Sequence, residues 1–251
     1  MLKLHALHAF QDNLIWLLEG PDGTALVVDP GQAAPVLGAV ERGLRVAAVL
    51  LTHHHPDHAG GVGELAARTG APVFRPDDPR LDGCGGRAVG EGERLRTAGM
   101  EVQVLAVPGH TLSHIAFVVE GHLFCGDTLF SLGCGRLFEG TPAQMMASLE
   151  RLAALPGATR VCCGHEYTLA NGAFARAVEP DNPAREAWLA QARRRLAAGI
   201  PSLPSSIEVE RAANPFLRLD QPGVQAGLAA HGLPCRGVEG FAALRAWKDR
   251  F

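Results

Sequence analysis

The amino-acid sequence predicts an α/β domain followed by a mostly helical module. The first two-thirds of the chain alternate short apolar runs, many of them rich in Val, with Gly, Pro or Asp turns, which is typical of strands. The composition changes after about Tyr167, and the segments that follow have patterns typical of helices. A length of 251 residues is enough for one large domain, or for one domain with a smaller appendage. We therefore expect domains at residues 1–167 and 168–251.

Seven strands are predicted in the first of these domains. Each is a short apolar run that ends at a turn-forming residue, and the run length of four to six residues fits strands rather than helices. The predicted strands cover residues 13–18, 25–29, 47–52, 102–107, 115–119, 122–125 and 159–163.

Helices are predicted from capping signals and from apolar periodicity. Thr141 begins the first, because Thr caps a helix well, Pro142 fits the first helical position and Gln144 can complete a capping box. Its expected buried stripe is Met146, Leu149, Leu152 and Ala153. Further helices are expected at 169–178, 184–198 and 240–249, with a Pro/Ser linker at 200–206.

The composition argues against several classes of function. With 23 Lys and Arg against 26 Asp and Glu, the net charge is −3, which disfavours nucleic acid or an anionic membrane as the main partner. We expect neither a signal peptide nor a membrane span, because the N-terminal residues form no apolar core and no run of about 18 apolar residues exists. The six cysteines do not resemble a disulfide framework, so we expect a reduced, cytoplasmic setting.

The strongest chemical signal is the run from Thr52 to His58, which reads THHHPDH and follows a buried apolar run. Three further polar residues, His110, Asp127 and His165, also follow predicted strands at Gly-containing turns. If these strands share one sheet edge, the side chains converge there. The candidate metal ligands are His53, His55, Asp57, His58, His110, Asp127 and His165.

Five imidazoles and two carboxylates form a ligand set that suits Zn, Fe or Mn. Seven ligands exceed one tetrahedral site, so we expect two divalent ions, with zinc preferred, that share a bridging carboxylate and a bridging water. Metal binding lowers the pKa of water from about 15.7 to about 7, which provides hydroxide at neutral pH. A structural zinc site fits less well, because such sites are closed and usually rich in Cys.

The order His-x-His-x-Asp-His, then His, Asp and His after later strands, resembles the metallo-β-lactamase superfamily. Within it, the chain is similar to the glyoxalase II, or hydroxyacylglutathione hydrolase, family over nearly its whole length. The first motif fixes only the superfamily, whereas GCGRLFEGT at 133–141 and GHEYT at 164–168 are more specific. The matching segments are 52–61, 108–115, 126–130, 133–141, 164–171, 178–183 and 214–218. The resemblance implies an αβ/βα sandwich with a dinuclear site at one edge of its two sheets.

The resemblance also implies an activity and a role for each ligand. The reaction would be hydrolysis of S-(2-hydroxyacyl)glutathione thioesters, above all S-D-lactoylglutathione, in methylglyoxal detoxification. Asp57 and Asp127 would be catalytic because they tune the metal-bound hydroxide, and no Ser or Cys nucleophile is implied. The implied ligands are His53, His55 and His110 for the first metal, and Asp57, His58 and His165 for the second, with Asp127 bridging both.

Glutathione carries two carboxylates, so its site needs cations and hydrogen-bond donors. Arg136 lies in the Gly-rich loop after Asp127, and Tyr167 is the only Tyr. Arg245 and Lys248 share a helix face at i, i+3. Spacing alone also fits solvated surface cations and a buried structural Tyr. The resemblance assigns Arg245 and Lys248 to the glycine carboxylate of the substrate, and we predict that Arg136, a cation beside a Gly turn near the metal loop, and Tyr167, two residues after His165, also bind the substrate. We expect a monomer with a small-molecule glutathione thioester as its partner.

Two positions depart from the family pattern. Leu14 follows Asn13 where the family has Tyr, so a ring contact there is lost. Arg136 stands where the family's loop commonly has Lys, which keeps the charge and permits bidentate pairing.

Three rival interpretations stay open. The first is another enzyme on the same fold, such as a β-lactam hydrolase or an iron-dependent persulfide dioxygenase. The second is a thioester hydrolase that acts on coenzyme A esters, and the third is a glutathione-binding module without turnover. The sequence also leaves three roles open. Asp29 is a turn residue or a partner of a ligand His, His114 is predicted to pack in the core, and Cys134 lacks a partner that would activate it.

Overall fold

The structure is a computed structural model that describes residues 2–251. Contacts within the chain divide these residues into two compact units. The first unit runs to Ala106 and also includes Ser113–Gly126, whereas the second contains Val107–Leu112 and Asp127–Phe251. Each unit has its own hydrophobic core.

The first unit is built around a mixed six-stranded sheet whose strands follow the chain order. β1 to β3 run antiparallel, and β3 to β6 run parallel. Parallel neighbours need crossover connections, and helices after β3 and β4 supply two of them. The elements are β1 Lys3–Ala9, β2 Asn13–Glu19, β3 Thr24–Val28, α1 Ala34–Glu41, β4 Arg45–Leu50, α2 Pro56–Ala59, α3 Val62–Thr69, β5 Val73–Arg75 and β6 Arg87–Ala88.

The central strands of this sheet are continuous apolar runs because the interior strands of mixed and parallel sheets are buried on both faces. In β2, which reads NLIWLLE, every residue but the last is buried. Side chains from β2, β3 and β4 pack with those of α1 and α3 in a single core. This core includes Ile15, Val27, Val36, Val49 and Leu65.

Four more strands of the first unit form an antiparallel meander. Between β8 and β9, the chain leaves for the segment Val107–Leu112 of the second unit. A 3₁₀ helix, Pro79–Cys84, precedes the meander in the sequence. The strands are β7 Arg94–Thr97, β8 Met100–Ala106, β9 Ile115–Val119 and β10 His122–Gly126.

The second unit is mostly helical, with two short antiparallel strand pairs, β11 with β12 and β13 with β14. None of the helices within residues 2–251 has both the length and the apolar composition needed to cross a membrane. The elements are β11 Leu129–Phe130, β12 Gly133–Cys134, α4 Pro142–Ala153, β13 Arg160–Cys163, α5 Thr168–Val178, α6 Pro183–Ala197, β14 Ser205–Ser206, α7 Ile207–Ala213, α8 Pro222–Ala230 and α9 Gly237–Arg250.

The α4 helix begins as predicted. Gln144 N donates to Thr141 Oγ1 at 3.2 Å, and Thr141 N donates to Gln144 Oε1 at 2.9 Å, which completes the capping box. The predicted stripe is wrong at Met146 and Ala153, which are only half-buried. The buried face instead includes Ser148, whose hydroxyl donates to Pro108 O at 2.8 Å. The buried residues of α4 are Met145, Ser148, Leu149 and Leu152.

All seven predicted strands are confirmed, each with bounds within two residues of the prediction. The helices predicted at 169–178, 184–198 and 240–249 correspond to α5, α6 and α9. No helix was predicted at α1, α2, α3, α7 or α8. The linker at 200–206 includes the short strand β14, which pairs with β13.

An aromatic cluster fixes the last helix in the second unit. The Phe174 ring on α5 meets the rings of Phe216 and Trp247 at centroid distances of 6.1 and 5.4 Å. The Phe216 ring lies 5.8 Å from that of Phe241 on α9. Because these rings join α5 and α9, the polar residues of α9 have a defined position within the unit.

The same unit buries a carboxyl group, and this leads to a prediction about stability. Glu210 on α7 is fully buried, and burial raises its pKa from 4.5 to about 7. A carboxyl with a raised pKa stabilises the fold at low pH, and this contribution is lost as pH rises through about 7. At about 1.4 kcal/mol per pKa unit, the loss is about 3 kcal/mol between pH 4.5 and pH 8.

The substitution Glu210→Gln removes this titration. We therefore expect the unfolding free energy of E210Q, relative to the parent, to increase by about 3 kcal/mol from pH 4.5 to pH 8. Urea unfolding of both proteins at the two pH values measures this difference, and pH effects common to both proteins cancel. A relative stability that does not change with pH would contradict the assignment.

Candidate metal centre

The loop after β4 carries four of the predicted ligands in the first unit. His55 is the residue before α2, and Asp57 and His58 lie in the first turn of that helix. The backbone of Gly31 packs directly on this turn, because a Cβ atom at Gly31 would lie 1.8 Å from Asp57 O. Only glycine permits this approach, so the segment after β3 and the ligand helix are held against each other.

Within this loop, potential metal-binding atoms of neighbouring side chains lie at separations that suit binding to the same metal ion. His53 Nε2 lies 3.1 Å from His55 Nδ1, and His58 Nε2 lies 3.5 Å from Asp57 Oδ2. The second ring nitrogen of His53, Nδ1, lies 3.0 Å from Thr52 Oγ1. A hydrogen bond to one ring nitrogen of a histidine fixes the orientation of the ring, so the Nε2 atom of His53 faces His55.

Asp29 connects two parts of this loop. It is buried, and its Oδ1 accepts from Thr52 N at 2.8 Å, while its Oδ2 accepts from Thr52 Oγ1 at 2.7 Å and lies 3.1 Å from His58 Nδ1. Asp29, His53 and His58 also form a group that could hold a metal. Asp29 faces Nδ1 of His58, on the opposite side of the ring from Nε2, so its position suits orientation of the predicted ligand His58 better than metal binding.

Sequence reasoning missed the contact that Asn13 makes with a predicted ligand. Asn13 is buried, and its Nδ2 donates to Asp57 Oδ2 at 3.0 Å and to Asp57 O at 3.2 Å. One signal was available: Asn13 is the lone amide in an otherwise apolar strand. Two further histidines of the first unit, His54 and His114, contact residues near the predicted ligands. His54 Nδ1 lies 3.5 Å from Asp78 Oδ2, and buried His114 stacks on His53 at 4.6 Å.

The second unit carries the other three predicted ligands. His110 lies in the segment Val107–Leu112, Asp127 precedes β11, and His165 follows β13 by two residues. A single oxygen of Asp127, Oδ2, lies 3.5 Å from His110 Nε2 and 3.4 Å from His165 Nε2. One carboxylate that faces two imidazoles in this way can contact two ions. His110 Nδ1 lies 2.9 Å from Arg136 O, which orients the ring with Nε2 towards Asp127.

These separations fit metal ligands. Two donor atoms that each lie about 2.0–2.1 Å from one tetrahedral zinc ion are about 3.3–3.4 Å apart. The four donor pairs within the two units are separated by 3.1 to 3.5 Å. Neutral imidazole and carboxylate are also the ligand types that first-row divalent ions prefer over thiolate-rich sets. The residues therefore suit divalent metal ions.

The hairpin formed by β11 and β12 links metal-ligand and cation positions. A Cβ atom at Gly135 would lie 1.9 Å from Asp127 O, and Gly135 N donates to Thr128 O at 3.2 Å. The two ends of the hairpin are therefore in backbone contact. Asp127 stands at one end and Arg136 at the other. We call residues 127–136 the site hairpin.

Three predicted substrate-binding cations gather around one carboxylate in the second unit. Buried Arg245 donates from Nη1 to Cys134 O at 2.7 Å and from Nη2 to Asp249 Oδ1 at 3.0 Å. Arg136 Nε lies 3.7 Å from the same Asp249 oxygen. Burial, followed by the charges of Arg245 and Arg136, lowers the pKa of Lys248. Three cations against one carboxylate leave a positive excess that suits an anionic ligand.

One atom of Arg245 supports this interpretation. Its Nε is buried and has no hydrogen-bond partner among residues 2–251. A buried guanidinium donor without a partner is costly, and a bound carboxylate is a chemical group that could satisfy it.

The remaining predicted residues have clear surroundings in the same unit. Tyr167 stacks on His165 with the ring centroids 4.7 Å apart and the planes within 5°. Its ring also meets Phe130 edge-on at 5.2 Å. Burial raises the pKa of the Cys134 thiol to about 11, so the reactive thiolate is scarce at neutral pH. This agrees with the expectation that Cys134 is not a nucleophile.

Comparison with known families covers nearly the whole chain. A model of the Metallo-beta-lactamase superfamily matches residues 10–165, and a model described as Hydroxyacylglutathione hydrolase C-terminus matches residues 166–251. A hydroxyacylglutathione hydrolase from Xanthomonas euvesicatoria pv. vesicatoria (strain 85-10) is 56% identical over 254 residues. That alignment covers 100% of this chain and 99% of the relative.

Solved structures agree with this relationship. ETHE1 from Myxococcus xanthus is 25% identical with a TM-score of 0.64, and the match covers 99% of this chain and 98% of that one. TTHA1623 in a di-iron-bound form is 29% identical with a TM-score of 0.60, covering 86% of this chain and 100% of that one. The predicted metallo-β-lactamase fold with a C-terminal helical part is confirmed. The chain belongs to the hydroxyacylglutathione hydrolase family of the metallo-β-lactamase superfamily.

Proposed function

We propose that this chain hydrolyses S-(2-hydroxyacyl)glutathione thioesters, with S-D-lactoylglutathione as the main substrate and D-lactate and glutathione as products, in methylglyoxal detoxification. Relatives that are 53 to 56% identical over their full length are named hydroxyacylglutathione hydrolases. The observation that carries the proposal is the site hairpin. It places a carboxylate that faces two imidazoles on the same ten-residue segment as a cation next to the Arg245 and Lys248 cluster.

We propose two divalent metal ions per chain, held by the residues that the family resemblance assigns. When bound, such ions acidify water and polarise a carbonyl, which is the chemistry that thioester hydrolysis needs. Zinc is preferred, and iron and manganese are the alternatives, because imidazole and carboxylate suit all three. A relative that is described in a di-iron-bound form supports two ions. The proposed ligands are His53, His55 and His110 for one ion, Asp57, His58 and His165 for the other, and Asp127 for both.

The chain's own residues would bind and orient the thioester. Arg245 and Lys248 hold the glycine carboxylate of glutathione, Arg136 adds charge beside them, and Tyr167 contacts the tripeptide next to His165. Asp57 and Asp127 would hold the metal ions, which would supply the acidified water for the attack. The leaving thiolate is a weak base, so no strong general acid is required. In this scheme residues 1–167 form the catalytic domain, and residues 168–251 form a helical substrate-binding domain that supplies Arg245 and Lys248.

The function is tested with the purified chain loaded separately with zinc, iron or manganese. Metal content per chain is measured together with the release of glutathione from S-D-lactoylglutathione. Acetyl-coenzyme A, a β-lactam and glutathione persulfide with oxygen uptake serve as comparison substrates. Preference for the lactoyl thioester supports the proposal. Turnover of a comparison substrate alone would identify the corresponding rival enzyme and refute the proposed function. Tight glutathione binding with no turnover by any loaded form would identify a binding module and also refute the proposed function.

Removing the Arg245 side chain is expected to weaken substrate binding. For Arg245→Ala we expect KM for S-D-lactoylglutathione to rise about tenfold, which is about 1.4 kcal/mol, with kcat within about threefold of the parent. Steady-state kinetics measure both parameters. Arg250→Ala on the same helix is the control, because Arg250 is exposed. A large loss of kcat at constant KM would contradict the role.

We also propose that the enzyme is a cytoplasmic monomer. The six cysteines do not resemble a disulfide framework, and Cys84, Cys134, Cys162 and Cys235 are free thiols, which fits a reducing compartment. Sedimentation analysis of the metal-loaded protein tests the oligomeric state.

A further inference from the structure

The turn of the site hairpin takes its hydrogen bonds from helices of the second unit. Leu132 N donates to Glu210 Oε2 at 2.8 Å, and Asn171 Nδ2 donates to Ser131 O at 3.0 Å. Trp188 Nε1 donates to Ser131 Oγ at 2.8 Å. All of these side chains are buried. The turn is therefore held from one side by a buried polar network.

Glu210 organises a second arm of the network through Asn214. Its Oε2, which accepts from Leu132 N, also accepts from Asn214 Nδ2 at 3.1 Å. The same Asn214 amide donates to Phe130 O at 3.1 Å and to Gly133 O at 2.9 Å. One carboxylate oxygen therefore supports three successive parts of the turn, directly at Leu132 and through Asn214 on both sides of it.

The conformation of this turn requires such support. Leu132 has φ +60°, a left-handed backbone conformation that residues other than glycine rarely adopt. Its side chain is fully buried beside Ala175 and Leu189. Without an acceptor for its amide, this backbone would keep a buried donor unpaired in an unfavourable conformation.

The turn leads directly to the residues that position the substrate cations. Cys134, two residues after Leu132, offers the carbonyl that holds Arg245 at 2.7 Å. Arg136, two residues further on, lies beside Asp249 and offers the carbonyl that orients His110. A shift of the turn is therefore transmitted first to the Arg245 anchor, and only through the rest of the hairpin to Asp127.

We propose that Glu210 is a positioning residue for the glutathione site: its carboxylate fixes the turn at Leu132, and the turn places the Cys134 carbonyl that holds Arg245. Glu210 acts through the hairpin and touches neither substrate nor metal. The inference rests on the proposed function and adds a specificity residue that is 35 positions distant in sequence from Arg245. Raised KM and weakened glutathione affinity are the expected signs of its loss.

The test compares Glu210→Gln with Glu210→Ala in the metal-loaded enzyme. Gln keeps an oxygen that can accept from Leu132 and Asn214, whereas Ala removes it. We expect E210Q to retain KM within about twofold and E210A to raise KM about tenfold, with kcat changed less than about threefold. Calorimetric titration with glutathione provides a readout independent of turnover and should show the same tenfold loss for E210A only.

Glu179→Gln is the matched control. Glu179 is also a buried carboxylate of the second unit, but it binds Arg218 and Asn182 instead of the hairpin. E179Q should lose stability and keep glutathione affinity. Glutathione affinity that is equally weakened in E210Q and E210A, or unchanged in both, would overturn the proposal. If E210A does not fold, Asn214→Ala is tested in its place. Unchanged glutathione affinity in that variant would also overturn the proposal. A parent enzyme that fails to hydrolyse the lactoyl thioester but binds glutathione would refute the proposed function and leave this test intact.

Discussion

Asp127→Asn is expected to lower kcat/KM for S-D-lactoylglutathione at least about 1,000-fold, or about 4 kcal/mol of transition-state stabilisation. The reason lies in one oxygen atom. Asp127 Oδ2 faces both His110 Nε2 and His165 Nε2, and it is the carboxylate that we propose to bridge the metal ions. An amide has no negative charge and is a poor bridging ligand, so we also expect metal content to fall from two ions per chain to one or fewer.

Kinetics and elemental analysis of the same preparation check this prediction. Asp220→Asn is the matched control, because Asp220 is an exposed carboxylate of the same unit. The side chains of Asp and Asn have nearly the same size, so the loss cannot be attributed to a cavity. A variant that binds two ions per chain and retains more than about a tenth of the parent's activity would remove Asp127 from the role of bridging ligand.

Asp29→Asn is expected to weaken metal binding about 10- to 100-fold, although Asp29 is not a proposed ligand. Its two oxygens accept from Thr52 N and Thr52 Oγ1, and Oδ2 also lies 3.1 Å from His58 Nδ1. With the amide oxygen on Thr52 N, the Nδ2 group that replaces Oδ2 cannot accept from Thr52 Oγ1 or His58 Nδ1, so His58 is no longer fixed in orientation. The buried donor left without an acceptor should also reduce the unfolding free energy by about 1–3 kcal/mol.

Asn is the appropriate replacement because Asp29 has φ +52°, and Asn tolerates this left-handed conformation better than Ala does. Competition with a chelator measures the metal affinity, and thermal unfolding of the metal-free protein measures the stability. Asp77→Asn, at an exposed position of the same unit, is the control. Equal chelator resistance of D29N and the parent would mean that His58 does not depend on Asp29 for its orientation.

The fold could be predicted where local sequence and tertiary environment agree. The predicted strands were correct because β2 and β3 are buried along nearly their whole length, β4 is buried over its last three residues, and these buried stretches are mostly apolar. Two of the missed helices lack such agreement. No side chain caps α1, and α8 contains Gly223 and Gly227, which lower helix propensity. Gly227 is nevertheless required, because a Cβ atom there would lie 1.8 Å from Val178 O.

The candidate site also contains residues that could be predicted from the sequence and residues that could not. His and Asp residues that follow strands could be identified because their type and spacing are chemically unusual on a protein chain. Their supporting partners could not. Asn13 stands out only as an amide in an apolar strand, Glu210 lies among other charged residues, and their contacts depend on chain segments 44 and 78 residues away. Long-range hydrogen bonds of this kind leave no periodic pattern in a sequence.

The hydrogen bond that ties Arg245 to the site hairpin goes to the main chain, because its shortest contact there is Nη1 to the Cys134 carbonyl at 2.7 Å. Every amino acid provides that oxygen, so this hydrogen bond does not depend on which side chain of suitable size fills the buried position 134. An engineer who wishes to alter the recognised thiol carrier should therefore vary the side chains of α9 and leave the backbone path of the hairpin untouched.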